Sequence, residues 1–313
     1  MAPGIILGAM DVSDLTQPAA LAFMAKWGLV AITLSYVTMM LVEMWLYKRH
    51  RPGQYDPVDA FGSYMVNLMS NISMAILAAV VPFALYLWVY AELRLFDGGF
   101  AWWTFVAAFV VHETAYFAGH MFGHRTGLGW AFHQVHHSSE ELNISTAARG
   151  TIFGDPVAMI LASVAALLGV HPLTYVTVVF AKNLWGIFNH TQLVDKMGWM
   201  ERWFATPANH RVHHGRNPQY IDRNYGQVLI IWDRLFGTWE PEREPPDFGL
   251  VVPQHTTNPL KIWTAGFVWL GRRVRSADRM SDKFRYVYKP PEWHHEGKVE
   301  GCAEGRCELV PAE

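Results

Sequence analysis

Of the 313 residues, 51% are hydrophobic and 14% aromatic, while only 17% are charged. The last figure is well short of the roughly one quarter of a soluble domain, which points the chain toward a bilayer. The net charge of −2, with no basic stripe, excludes an electrostatic case for nucleic acid. Two cysteines, Cys302 and Cys307, exclude a disulfide framework and a four-cysteine iron–sulfur centre within the chain.

The start lacks the basic residues and small-residue cleavage site of a signal peptide, so the first apolar segment is expected to be retained. That segment, 21–47, meets the roughly 20-residue requirement of a spanning helix and ends in "KRHR" at 48–51. Residues 60–91 form a second long apolar stretch, and 100–125 a third, apolar first and histidine-rich later. Two shorter runs within 157–188 meet at His171-Pro172, which reads as a hairpin of two helices dipping into or crossing the membrane. By the positive-inside rule, "KRHR" puts the end of the first span in the cytoplasm. Alternating spans then bring the polar end of the third stretch, the residues after the hairpin, and the polar region from about 195 onward to that same face.

Beyond a Pro-rich connector at 241–259, residues 260–274 repeat apolar side chains near helical period and end in arginines. Two readings stay open for that helix, one lying on lipid headgroups and one packed on the cap. The expected architecture is an all-α, multi-spanning membrane helical bundle with about four spans and a cytosolic histidine-rich catalytic cap. It is read as one membrane-embedded domain: N-terminal helices (1–104), a di-metal region with the hairpin (105–240), and connector, amphipathic helix and tail (241–313).

Eleven of the fifteen histidines lie between 112 and 214. His120 and His124 are four apart, and "HQVHH" (His133, His136, His137) and "HRVHH" (His210, His213, His214) share one pattern. Residues three and four apart share a helix face, and imidazole is the commonest metal ligand. Eight imidazoles exceed the needs of one ion, so two metal ions are the economical reading. His190 emerges at the same membrane face and is taken as a ninth ligand. Glu113, seven residues before His120, falls on the same helix face and is read as orienting an imidazole through its second N–H.

His112, about 80° away around the helix, is not expected to bind metal. Neither is His171 in the hairpin turn. His50 and His255 read as surface or connector residues, and His294 and His295 as tail. The Cys-x4-Cys pair could clip a metal or oxidise, but a solvated tail is the plainer reading. No C-x-x-C-H haem site or Gly-rich nucleotide loop occurs, so electrons must come largely from outside. No H-E-x-x-H zinc motif occurs either. Imidazole suits iron, zinc, copper and nickel alike, so residue types do not choose the metal.

"HETAYFAGHMFGHR", "HQVHHSSEELNISTAAR" and "HRVHHGRNPQYIDRNYGQVLIIWDRLFGT" resemble the fatty acid hydroxylase/sterol desaturase superfamily over roughly 105–240. Asn143, Thr146, Arg149 and "WDRLFGT" strengthen the likeness, and "KPPEW" at 289–293 resembles its C-terminal Pro-Pro-Gly-Trp with Glu292 for Gly. Glu113 stands where the family commonly has Asp, and Gly186 where some members keep a further histidine.

The resemblance implies two iron ions on His120, His124, His133, His136, His137, His210, His213 and His214, with support for His190; zinc is able to replace iron in purified protein. It further implies dioxygen as co-substrate and an external electron donor such as ferredoxin or cytochrome b5 with its reductase. The implied reaction is hydroxylation of a lipid C–H bond (fatty acyl, sterol or related), with desaturation at the same site as one alternative. A zinc-dependent membrane hydrolase is the alternative of another class.

Overall fold

The structure is a computed structural model, and it describes residues 18–73, 82–151, 156–297, 302–303 and 306–307. It is all-α apart from a short antiparallel pairing of Cys302–Ala303 with Arg306–Cys307. The cysteine side chains lie outside the described residues, as do the middle of the second apolar stretch (74–81) and most of the tail.

Helix α1 (Pro18–His50) ends in Lys48, Arg49 and His50, cations that complement the negative end of the helix dipole. Its segment Val30–His50 has 21 residues, about 30 Å at 1.5 Å per residue, enough to cross a hydrocarbon core. Only 17% of its apolar window is buried inside the protein. Among the described residues it is the one helix that is both long and apolar enough to span.

Of the roughly four spans expected, one is clear among the described residues. The second stretch divides into α2 (Pro57–Ser73) and α3 (Pro82–Trp88), the latter widened into a π turn at Val89–Leu93. The first arm of the hairpin is two short helices, α6 (Pro156–Leu161) and α7 (Ser163–Leu167). Its second arm, α8 (Pro172–Phe188), has 17 residues. Helix α4 (Trp102–Arg125) has length, but His112, Glu113 and its later histidines lower its hydropathy.

Local chemistry sets the helix starts. Pro172 stands in the first turn of α8, where no N–H is needed, and the His171 ring accepts from Leu173 N–H. Asp56 accepts from the Val58 and Asp59 amides to cap α2. Thr126 caps α5 (Gly127–His133) by accepting from Gly129 N–H at 3.0 Å. Helix α5 then folds straight back on α4, so close that a Cβ at Gly129 would overlap the Phe122 carbonyl.

Two apolar clusters hold the bundle. Tyr86, Val89, Tyr90, Ala108, Ala165, Val170 and Tyr175 join α3, α4, α7 and α8. Val66, Val135 and Ile262 join α2 and the turn after α5 to α11 (Pro259–Ser276). On α11, Ile262 and Gly266 face inward, while Leu260 and Val268 stay exposed. Trp88, Leu93, Phe96, Trp102, Phe105, Val106 and Val110 are also exposed, a broad apolar surface along α3 and the first half of α4.

Arg149 is the main polar tie. It is buried and donates to Ser63 Oγ and Ser138 Oγ at 2.8 Å each, and its guanidinium pairs with Asp59. An Arg149→Leu variant leaves Asp59 unpaired and is expected to lose roughly 3–5 kcal/mol of stability. Denaturant unfolding of the detergent-solubilised chain checks this; a loss under about 1 kcal/mol, the range of an exposed pair, would contradict it.

Candidate metal centre

His120 and His124 sit near the polar end of α4. His133 is the last residue of α5, and the tight turn after it, with His136 N–H donating to the His133 carbonyl at 2.9 Å, carries His136 and His137. The first triplet thus straddles a helix end, not one helix face, and His136 and His137 are sent to different places. Thr206 caps α9 (Pro207–His214), which carries His210, His213 and His214. His190 lies just beyond α8, its N–H donating to the Ile187 carbonyl.

The nine imidazoles fall into two groups. His120, His124, His133, His137 and His213 bring one ring nitrogen each to within 4.8 Å of one another, and His136, His190, His210 and His214 do the same. His137 and His214 stack between the groups with centroids 4.4 Å apart. Each triplet is therefore split: the second gives His213 to one group and His210 and His214 to the other.

Proton placement tests whether cations fit. His190 Nδ1 lies 2.8 Å from the Gly186 carbonyl. A carbonyl only accepts, so the His190 ring spends its single proton there. His190 Nε2 is then a lone pair, and the Nε2 atoms of His136 at 3.1 Å and His210 at 2.9 Å converge on it. In the five-histidine group His120 Nδ1 bonds the Tyr225 carbonyl at 2.7 Å and His213 Nδ1 the Arg223 carbonyl at 2.9 Å. His120 Nε2 meets His133 Nε2 at 3.0 Å. Ring nitrogens of His124, His213 and His214 are buried with no hydrogen-bond partner.

Converging lone pairs and orphaned nitrogens repel unless cations sit among them, so both groups fit a metal ion. Protonation is no way out. Burial, then neighbouring histidines, holds His133, His136, His137, His210, His213 and His214 well below the usual 6.5, and burial lowers His190 to about 4. Neutral imidazole is the ligating form.

The segment after α9 supplies most of the outer acceptors. Asp222 lies 3.4 Å from His124 Nδ1, and Arg223 and Tyr225 supply the carbonyls noted above. Asp222 and Asn224 adopt positive φ, 61° and 57°, which turns these groups inward. Asp233, in α10 (Ile231–Phe236), fixes the segment by accepting from the Tyr225 and Gly226 amides and from Thr238 Oγ1. Asp222 and Asp233 drew no role from the sequence; their only signal was membership of the runs "NPQYIDRNYG" and "WDRLFGT".

Glu113 needs correction. It is buried, but its partners are Lys182 Nζ at 2.6 Å and the Val228 and Leu229 amides at 3.0 and 2.8 Å, not an imidazole. Lys182 also donates to His112 Nδ1 at 2.7 Å, and His112 belongs to neither group. His171 caps α8, His295 bonds the Tyr286 hydroxyl, and His50 and His255 are exposed.

A partly open cavity of about 280 Å³ lies between α1, α2 and α8. His136, His190 and His210 line it, whereas no member of the five-histidine group does. The two groups thus differ in ligand number and in access.

Residues 105–238, which hold all nine histidines, match the fatty acid hydroxylase family. Over those residues the chain is similar to that family. It is 33% identical over 264 residues to alkylglycerol monooxygenase of Homo sapiens, a match covering 82% of this chain and 58% of the relative. Ornithine lipid hydroxylase OlsE of Rhizobium tropici is 28% identical over 148 residues, covering 46% of this chain and 45% of that protein. A cholesterol 25-hydroxylase-like protein of Danio rerio is 28% identical over 148 residues, 44% and 55% of the two chains. The chain spans little more than half the length of the human relative. No solved structure matches it.

The lowered histidine values fix a pH dependence. In metal-stripped protein the unfolded chain binds more protons than the folded one below about 6.5, so stability is fully present above that value and is lost as pH falls toward the folded values. The melting temperature of the metal-stripped chain is expected to hold from about pH 8 to 7 and to fall steeply from about 6.5 to 5. A flat profile down to about pH 5 would contradict neutral, buried imidazoles.

Proposed function

We propose that the chain is a membrane-embedded, dioxygen-dependent lipid hydroxylase holding two iron ions, one in each histidine group. The observation that carries this reading is the asymmetry of the centre. One all-imidazole group is sealed by five ligands, and the other, with four, faces a cavity. A bound iron pair supplies dioxygen activation. In the balanced reaction one oxygen atom enters a lipid C–H bond and the other leaves as water. Two electrons and two protons come from an external donor such as ferredoxin, or cytochrome b5 with its reductase.

The protein's own part is positional. The Gly186 carbonyl aims His190, and Ile32 and Ile187 help wall the cavity from water. The names of the relatives (alkylglycerol, ornithine lipid, cholesterol) share a lipid substrate class, and the extent of the first match favours an ether glycerolipid. We place the histidine cap at the cytoplasmic face, with α1 crossing the bilayer and the exposed apolar surface of α3 and α4 in lipid. Glu113 acts by fixing Val228 and Leu229, next to the segment that orients His120 and His213.

Lipid extracts of cells expressing the native chain and a His136→Ala variant, with an electron donor present and labelled dioxygen supplied, test the reading. Label is expected in one lipid class with the native chain, and at least about a hundredfold less with the variant, the scale of losing a metal-site contact. Loss of two hydrogens without label would make the activity a desaturation. No oxygen-dependent difference would overturn the oxidative reading and favour a zinc hydrolase.

A further inference from the structure

On the reading that each histidine group holds an ion, we propose that Glu43, inside the spanning helix α1, is a positioning residue for the four-histidine group that acts on His190 through Thr191. Glu43 is the one charged residue between Val30 and Tyr47. A charge inside a span is costly unless partners satisfy it, which makes such a residue a functional candidate by default. Here the partners are specific. Glu43 Oε1 accepts from Thr191 Oγ1 and Oε2 from the Ile144 amide, both at 2.6 Å. Hydrogen bonds to a carboxylate are among the strong ones.

Both partners lie on segments that follow ligands. Thr191 comes directly after His190, and Ile144 is in the loop after the first triplet. That loop is tied to α1 and to the His190 segment alike: the Tyr36 hydroxyl donates to the Ser145 carbonyl at 2.8 Å, and Gln192 Nε2 to the Leu142 carbonyl at 2.9 Å. Just beyond it, Ala147 and Ala148 line the cavity with His136 and His190. His190 needs such support, because it lies past the end of α8, whereas His210 and His214 ride on α9. The Thr191 carbonyl is held from the α9 side, accepting from Arg211 Nη1 at 3.2 Å. Its hydroxyl is held from α1.

The burial pattern of α1 agrees. Its buried residues, among those described, are Tyr36, Glu43 and Tyr47, while Leu34, Leu41, Val42, Met44 and Trp45 are exposed. Offsets of seven and four put the three on one helix face. The stripe that docks α1 is therefore polar, and neither apolar cluster includes this helix. Glu43 belongs to neither histidine group and does not line the cavity, so its effect passes through Thr191 and not directly to an ion or a lipid. The five-histidine group takes its ligands from α4, α5 with its following turn, and α9, and its outer acceptors from residues 222–225. Glu43 bonds none of these, which makes its influence selective for one group.

The purified full chain in nanodiscs, loaded with iron(II) without oxygen and challenged with ferrozine, tests this by the number of ions released and their rates. The native chain is expected to release two ions slowly. Glu43→Leu should release one of them about 10–100-fold faster, the scale of losing an outer partner of a ligand, and the other at the native rate. Glu43→Gln, which still accepts from Ile144 N–H and donates to Thr191 Oγ1, should stay within about threefold of native. In a His190→Ala background Glu43→Leu should change nothing further, because the ring it positions is gone. Far-UV circular dichroism reports folding, and if Glu43→Leu misfolds, Thr191→Val is read in its place, with the same selective release expected. Native rates for both ions in the folded variant, equal acceleration of both, or a further loss in the His190→Ala background would each overturn the proposal while leaving two ions in place. A native chain that binds a single ion would refute the two-ion reading, and the proposal with it.

Discussion

His190 points an Nε2 lone pair at His136 Nε2 across 3.1 Å, because its ring gives its one proton to the Gly186 carbonyl. In water a proton would relieve this, but burial holds both rings neutral. The same close approach recurs between His190 and His210 and between His120 and His133. Burying polar groups in repulsive contact is costly, and a cation at each focus turns the cost into coordination. Much of the surrounding structure maintains this frustrated arrangement.

The support comes from segments that look unremarkable in isolation. Residues 222–225 turn two carbonyls and a carboxylate inward, and Asp233 grips the adjoining amides. Arg149 ties α2 to the turn that follows His136. The Lys182–Glu113 pair locks the following amides, with Glu113 fully enclosed. A buried pair of this kind adds little net stability against an apolar replacement, so its value here lies in fixing the loop.

The histidine centre was readable because ligand chemistry demands one residue type, repeated at short spacing. All nine expected positions gather into two groups. What spacing could not show is how they divide. H-x-x-H-H suggests one helix face, yet α5 ends at His133, so His136 and His137 leave in different directions. Glu113 was found by helix angle, but angle says nothing of a lysine some seventy residues later that claims its carboxylate. Asp222 and Asp233 act through backbone groups whose placement only the folded loop defines. The all-α class followed from long apolar runs, and the run 157–188 breaks into pieces that pack on each other.

The two groups divide the work between a sealed five-imidazole pole and a four-imidazole pole open to a cavity. That division requires two ions, each held by nitrogen ligands. X-ray absorption on the purified chain, combined with elemental analysis, tests it most directly. The account predicts two metal ions per chain with a first shell of imidazole nitrogen at about 2.1 Å. A single ion per chain, or a shell dominated by carboxylate oxygen or sulfur, would contradict it.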